Sequence, residues 1–226
     1  MSKKIQETPE TGIDGINDSL TAMTQKVQDN KKGVMIGSLV VVAIAVVVLA
    51  YVYFFRNPGV QKANDQIGSA DLELALGNDS VAAAQYMSLA DNGSYDAGNR
   101  AALESAIILY REGKYEDALK YADKYSAKDD IIGAGAYSLK GDCLVNLDRL
   151  PEAVKAYQEA IRTSDHNPAY TPFFMMKLAR VYRAQSNFKD EAGVYEDILE
   201  DYPLYGQAHN IDVEKLLDRA RLQAGK

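Results

Sequence analysis

Apolar and polar residues follow two different patterns along the chain, one continuous and one periodic. From Val34 to Phe55 the chain runs for 22 residues without a charge. A helix of that length is ~33 Å long, enough to cross a hydrocarbon core of ~30 Å. Valine-rich runs favour strands in water, but in lipid only a helix satisfies its own backbone hydrogen bonds. The pattern therefore predicts a transmembrane helix over residues 34–56.

Two alternatives to a membrane anchor are a buried core helix and a cleaved signal peptide. The run has no polar face and is longer than an ordinary core segment, which disfavours a core helix. A secretory signal has only a short basic segment before its apolar run. Here 33 residues precede the run, and no small-residue cleavage site follows it. We therefore expect an uncleaved anchor that crosses the membrane once.

Basic residues flank the predicted membrane helix unequally. Five lysines precede it, with Lys31 and Lys32 at its edge, whereas only Arg56 and Lys62 follow it closely. An excess of lysine and arginine marks the cytoplasmic side of a single span. We therefore expect the N-terminus in the cytoplasm and residues 57–226 on the far side of the membrane.

The predicted cytoplasmic arm covers residues 1–33, and its polar start is expected to be disordered. Further along, Ile16, Leu20, Met23 and Val27 recur at spacings of four, three and four residues, as on one face of a short amphipathic helix. This face is a candidate docking helix for a cytosolic or membrane partner. It equally fits a helix that lies on the bilayer surface or extends the membrane helix.

Beyond the membrane helix, apolar residues recur with helical periodicity, and the sequence has no strand-type alternation. Turns that start at Gly113, Asp148 and Asn187 are 35 and 39 residues apart, close to the ~34-residue period of a tetratricopeptide repeat. The predicted helix pairs are 60–76 with 80–89, 101–110 with 115–125, 134–147 with 150–162, and 171–184 with 188–200, followed by a capping helix over 210–223.

Small and large residues alternate within the predicted pairs as stacked helices require. In the middle pair, Gly141 stands where two helices must touch, and Tyr157 follows on the second helix between Ala153 and Ala160. The last pair departs from the others by one extra residue after Phe188. The predicted fold is all-α, with a single transmembrane helix followed by a tetratricopeptide-like solenoid over residues 57–226. Between them, the sequence Asn-Pro-Gly at 57–59 is expected to break the membrane helix and form a hinge.

Composition and charge then exclude several classes of function. The net charge is −7, and residues 57–226 hold 19 basic and 27 acidic residues, or net −8. This acidic balance argues against a nucleic-acid partner. A single cysteine and two histidines leave no disulfide framework, metal site or nucleophilic constellation. We expect no cofactor, no metal, no small-molecule substrate and no enzymatic activity.

The first helices of the pairs line the concave face of such a solenoid, where a protein partner would bind. Apolar groups flanked by arginines suit an extended segment or a helix with acidic ends. The alternative is that the capping helix or the first hairpin fills this groove. The predicted groove residues are Arg100, Leu103, Ile107, Tyr110, Arg111, Ser138, Asp142, Asn146, Phe173, Met176, Arg180 and Arg183.

Several segments resemble a known family of envelope proteins. The segments GDCLVNLDRLPEAVKAYQEAI and LARVYRAQ are similar to helix-pair repeats, and YEDILEDYP is similar to a repeat ending of bacterial envelope tetratricopeptide proteins. Together with the order of arm, span and repeats, the chain resembles the YfgM-type ancillary subunit of the bacterial SecYEG translocon. This resemblance implies a periplasmic domain beside the translocon that contacts newly exported chains or chaperones.

These observations favour a single-pass protein of the inner, cytoplasmic membrane that acts as an interaction scaffold in the bacterial envelope. Its expected partners are proteins, among them the translocon, a periplasmic chaperone or exported chains. The alternative function is a structural tether or a self-associating envelope protein that binds no client.

Overall fold

The computed structural model describes residues 20–21, 23–25, 27–92 and 95–225. Within these ranges all regular secondary structure is helical and none is strand, which confirms the predicted all-α class. The chain divides into two compact units, with the boundary between Pro58 and Gly59.

The first unit contains the apolar helix α1, Lys31–Tyr51, followed by one wide π-helical turn, Val52–Arg56. No side chain of α1 is buried. In the candidate docking helix, Leu20, Met23 and Val27 are helical and exposed, and Ile16 lies outside the described residues.

The expected break at residues 57–59 is wrong, because helical structure runs without interruption from Lys31 to Ala75. A proline ring inside an α-helix clashes with the carbonyl of the fourth residue before it, here Phe54. The π-helical turn directly before Pro58 widens the backbone, and the Asn57 N–H bonds back five residues to the Val52 carbonyl. Local widening of this kind accommodates a proline without ending the helix.

The second unit is built from helical hairpins that follow one another along the chain. Each helix packs against the next in sequence from α3 to α9, and the last long helix packs back onto α9. The helices are α2 (Asn57–Ala75), α3 (Asp79–Asp91), α4 (Tyr95–Arg111), α5 (Tyr115–Lys124), α6 (Asp130–Asn146), α7 (Leu150–Thr163), α8 (Thr171–Ala184), α9 (Phe188–Asp201), α10 (Tyr205–Ala208) and α11 (Val213–Ala224).

The four hairpin turns share one backbone conformation. Each contains a residue in the left-handed region, namely Gly77, Gly113, Asp148 and Ser186, which are 36, 35 and 38 residues apart. The next residue in each turn donates its backbone N–H to the carbonyl five residues earlier, at 2.8 to 2.9 Å. This pattern is the Schellman motif that ends a helix and satisfies its last carbonyls.

This geometry corrects the register of the last predicted pair. The residue equivalent to Gly113 and Asp148 is Ser186, not Asn187. Asn187 instead caps the following helix, where its side-chain oxygen accepts from the Asp190 N–H. The last pair therefore carries no extra residue after Phe188, and each second helix begins two residues after its left-handed residue.

Contacts inside each hairpin follow from a fixed pattern of side-chain size. Seven residues before each left-handed residue the first helix carries Ala70, Ala106, Gly141 or Ala179, and all four positions are buried. Three of the second helices place a tyrosine nine residues after the turn, at Tyr86, Tyr157 and Tyr195, each at most 2% exposed. Small residues on one helix thus leave room for large rings on the other, which gives a dense core.

A buried acid marks the end of the stack. Five residues after the turn the second helices carry Ala82, Ala118, Ala153 and, in the last hairpin, Glu191, and all four are 0% exposed. Arg183 donates from Nε to Glu191 Oε1 at 2.8 Å, and Arg219 of α11 places Nη2 at 3.7 Å from the same oxygen. A charged group at this depth requires such partners. The ion pair of Glu191 and Arg219 therefore links α9 to the capping helix α11.

Candidate partner-binding groove

The first helices α4, α6 and α8 form an open cavity of about 430 Å³ between them. The lining is almost entirely apolar, and several of its side chains are exposed. Ile132 is 54% exposed and Phe173 is 45% exposed. The residues that line this apolar cavity are Leu103, Ile107, Ile131, Ile132, Gly135, Ala136, Ser138, Leu139, Asp142, Tyr170, Phe173, Phe174 and Lys177.

A second, more polar cavity of about 250 Å³ adjoins the first, because Asp142 and Lys177 line both. It extends toward the C-terminal ends of α6 and α8, where Arg180 lies on the exposed side of α8. Its lining consists of Tyr110, Asp142, Val145, Asn146, Leu150, Tyr157, Lys177, Arg180, Val181 and Ala184. We call the two cavities together the groove, with an apolar end and a polar end.

An ion pair separates the two ends of the groove. Lys177 Nζ lies 2.6 Å from Asp142 Oδ2 and donates to Ser138 Oγ at 3.0 Å. The Tyr157 hydroxyl donates to the other Asp142 oxygen at 2.7 Å, and burial of Tyr157 together with the Asp142 charge raises the pKa of that hydroxyl above its ordinary value. Lys177 is thus already paired, and the other cationic side chain in the lining of the groove is Arg180.

Eight of the twelve predicted groove residues line the groove. Leu103, Ile107, Ser138 and Phe173 lie at the apolar end, Tyr110, Asn146 and Arg180 lie at the polar end, and Asp142 lines both.

The other four predicted residues lie elsewhere. Met176 is 5% exposed and belongs to the core, so it does not reach the groove surface. Arg100 pairs with Asp71 at 2.9 Å, and Arg183 pairs with Glu191 at 2.8 Å. Arg111 is exposed in the last turn of α4.

Sequence reasoning missed several residues that line the groove, among them Ile131, Ile132, Tyr170 and Lys177. It began the helix at Ala134, whereas α6 begins at Asp130. The signal was present, because Asp129 is a favoured capping residue and its carboxylate accepts from two backbone N–H groups, at 3.1 and 2.6 Å. The cap places two isoleucines on the first turn, beside the groove.

The groove is not filled by the elements that could fill it from within the repeat domain. Neither cavity is lined by a residue of the first hairpin, α2 and α3, or of the capping helix α11. The capping helix packs on α9, where Arg221 pairs with Glu196 at 2.9 Å. Among the described residues, therefore, neither the first hairpin nor the capping helix occupies the groove.

Metal-ligand geometry and thiol reactivity describe the chemistry around the groove. Among the described residues no group of three or more histidine, cysteine, aspartate or glutamate side chains is arranged to hold a metal ion. Cys143 is fully buried behind the groove, and burial raises the pKa of its thiol to about 12. A thiol in that state is a poor nucleophile, because the thiolate is the reactive form.

Comparisons with known proteins agree with this architecture. The sequence profile of a family described as a tetratricopeptide repeat-like domain matches residues 61–183. A crystal structure of MamA protein superimposes with a TM-score of 0.54 at 19% identity, covering 72% of this chain and 88% of that chain. A second MamA crystal structure gives 0.52 at 17% identity, covering 69% and 94%. Identities this low support the fold alone. No curated protein matches the chain by sequence.

Proposed function

The chain belongs to the tetratricopeptide repeat-like domain family, a fold that serves as a scaffold for protein–protein interaction, and we propose that it is a membrane-anchored scaffold that holds a protein partner in the groove. The observation that carries this proposal is the open apolar cavity of about 430 Å³ beside the polar end. Exposed isoleucine and phenylalanine side chains in a concave surface favour burial against a partner.

The partner segment should be complementary to the two ends of the groove. Bulky apolar side chains would contact Ile107, Ile132 and Phe173 at one end. An acidic side chain would pair with Arg180, which is exposed at the polar end and has no ion pair to the residues that the structure describes. Arginine is suited to this role because its planar group binds a carboxylate through two hydrogen bonds. An extended segment or a partner helix with acidic ends has this chemistry.

The proposed location is the inner membrane of a bacterial envelope. Helix α1 is the described helix that is long and apolar enough to cross a membrane, and it exposes all its side chains. The lysines at its N-terminal edge favour a cytoplasmic arm, residues 1–33, and an exported repeat domain, residues 57–226. The span of residues 34–56 would then anchor the repeat domain to the membrane that holds the translocon.

The resemblance to the YfgM-type subunits of the SecYEG translocon supports one class of partner. In that proposal the groove binds segments of newly exported chains or of a periplasmic chaperone beside the translocon. Unfolded chains expose apolar side chains that an apolar groove can cover reversibly. The exposed face of Leu20, Met23 and Val27 is the corresponding candidate for a cytosolic or membrane contact.

Site-specific photo-crosslinking of the full-length protein in cells tests the proposal. A photo-reactive residue at Ile107 should form adducts with a translocon subunit, a periplasmic chaperone or an exported chain. The same residue at Lys155, exposed on the second helix α7, is the matched control and should not form these adducts. Absence of all three kinds of adduct from Ile107 would remove the translocon proposal.

Two substitutions then test whether the groove itself binds. Ile132→Asp places a charge at a half-exposed apolar position of the groove. Loss of a central apolar contact of this kind costs ~2 kcal/mol of binding free energy, so the variant should bind the partner roughly 30-fold more weakly. Arg180→Glu should weaken capture of acidic segments, whereas Lys155→Asp should not. If adducts form only between copies of this chain, a structural tether explains the protein better than a client scaffold.

A further inference from the structure

The first hairpin has a face that no other described helix of the repeat domain lines. In a solenoid each hairpin covers the one before it, and here α4 and α5 pack against one side of α3. The opposite side of α2 and α3 encloses an open cavity of about 410 Å³, lined in part by Ser69, Ala84 and Ser88. Val81 at its edge is 48% exposed, and Leu76 in the turn is 65% exposed. The C-terminal end of the stack, in contrast, is covered by α11.

The charge of this face distinguishes it from the groove. None of the residues that line its cavity is charged, although residues 57–226 as a whole are net −8. An acidic domain repels a copy of itself unless the contact surface is free of like charge. Small uncharged side chains also let two helices approach closely. The face is therefore suited to a second copy of this chain.

A second feature, in the membrane unit, favours the same partner. Helix α1 contains Gly33 and Gly37, four residues apart, followed by Ser38. In an apolar span this small-x-x-x-small spacing is typical of a helix–helix contact surface. Among the described residues, a Cβ added at Gly37 would meet no atom within 4 Å, so none of them requires a glycine there, whereas a Cβ at Gly33 would meet the Asn30 side chain at 2.7 Å.

We propose that two copies of the chain associate in the membrane, with the uncovered face of α2 and α3 as the contact between repeat domains and the Gly33–Gly37 surface of α1 as the contact between membrane helices. The contact is between the same face on both copies, which is the usual arrangement of a homodimer. The face is small compared with the ~800 Å² per partner of a stable soluble interface. A shared membrane raises the effective concentration of the two copies, so a small face is sufficient there.

The position of the chain's one cysteine makes a crosslinking test simple. Cys143 is buried, so the wild-type protein should give no crosslinked dimer in native membranes with a bifunctional thiol reagent of about 10 Å reach. Ser88→Cys, exposed on the uncovered face, should give a dimer. Lys155→Cys, exposed on α7, is the matched control and should give at least about fivefold less, as expected from random collision.

Charge substitutions at Ala84, which is exposed, test whether this face carries the contact. In the Ser88→Cys background, either Ala84→Glu or Ala84→Lys should lower the dimer yield at least about fivefold, because like charges meet. Co-expression of the two variants should restore the dimer, since opposite charges then face each other, and this recovery also shows that both variants fold. Gly37→Leu should lower the yield as well.

Three results would overturn the proposal. The first is an equal dimer yield from Ser88→Cys and Lys155→Cys. The second is an adduct of Ser88→Cys with a different protein in place of the dimer. The third is a dimer yield from co-expressed Ala84→Glu and Ala84→Lys that is as low as the yield from either variant alone. None of these results bears on the groove, so failure here and failure of the proposed function are distinguishable.

Discussion

The contact between Gly141 and Tyr157 allows a sharp test of how tightly the hairpins pack. A Cβ added at Gly141 would lie 2.6 Å from Tyr157 Cε1, 2.8 Å from Cζ and 2.9 Å from Cδ1. Carbon atoms in contact prefer ~3.5–4.0 Å. Tyr157 cannot move aside easily, because its ring is 2% exposed and its hydroxyl donates to Asp142 at 2.7 Å. Gly135 lies in the same helix, and a Cβ there would meet nothing within 4 Å.

The two glycines should therefore respond to alanine with opposite signs. Alanine is favoured over glycine in a helix interior by ~1 kcal/mol, and Gly135→Ala should gain about that amount. Gly141→Ala gains the same helix propensity but overpacks the contact with Tyr157, at a cost of ~2 kcal/mol. We expect a net loss of ~1 kcal/mol for Gly141→Ala and a difference of ~2 kcal/mol between the variants.

Thermal unfolding of residues 57–226, followed by circular dichroism, measures this difference. For a domain of 150–250 residues 1 kcal/mol changes Tm by ~2–4 °C, so Gly135→Ala should melt ~4–8 °C above Gly141→Ala. If both variants gain stability equally, the ring of Tyr157 has room to move and the close-packing argument is refuted. Loss of stability in both would instead show that helix propensity does not govern α6.

Three further predictions concern the buried groups and the membrane topology. Glu191→Gln should destabilise the domain by ~1–3 kcal/mol in urea unfolding, because it weakens a buried charged hydrogen bond. The control Glu196→Gln, which alters an exposed ion pair, should cost under ~0.5 kcal/mol. Equal costs for the two variants would contradict the burial of Glu191. Burial raises the pKa of Tyr86 and Tyr157 above the unfolded value of 10.0, so their contribution to stability is full below pH 10 and is lost as the pH rises above it. The urea midpoint should therefore be lower at pH 11 than at pH 9, and an unchanged midpoint would be inconsistent with buried hydroxyls. Protease added after permeabilisation of the outer membrane should digest the repeat domain and spare the arm, and the reverse pattern would invert the orientation.

Much of the repeat architecture could be predicted because its signals are local. A turn conformation depends on a few neighbouring residues, and Gly113 and Asp148 were placed correctly in their turns. The alternation of small residues with tyrosines also follows from helical spacing, as in the pair of Gly141 and Tyr157. The last turn was misplaced by one residue, because serine tolerates the left-handed region less readily than glycine and gave no signal at Ser186.

The groove could be predicted only in part, because exposure depends on how successive hairpins rotate against one another. Met176 has the helical phase of a groove residue, yet neighbouring helices bury it. Ile131 and Ile132 precede the periodic part of α6, so periodicity did not select them, yet the capped first turn brings both to the apolar cavity.

By itself, then, the amino-acid sequence determined the apolar span, the all-α class and the spacing of the hairpins, since hydrophobic periodicity and turn chemistry act over a few residues. The tertiary structure alone decided which side chains face the groove and which are buried. It also decided that Glu191 is buried at the position where the other second helices carry alanine, because arginines from two different helices lie beside its carboxylate. Likewise the chain continues as a helix through Pro58 because a π-helical turn precedes it, and no residue preference predicts that turn.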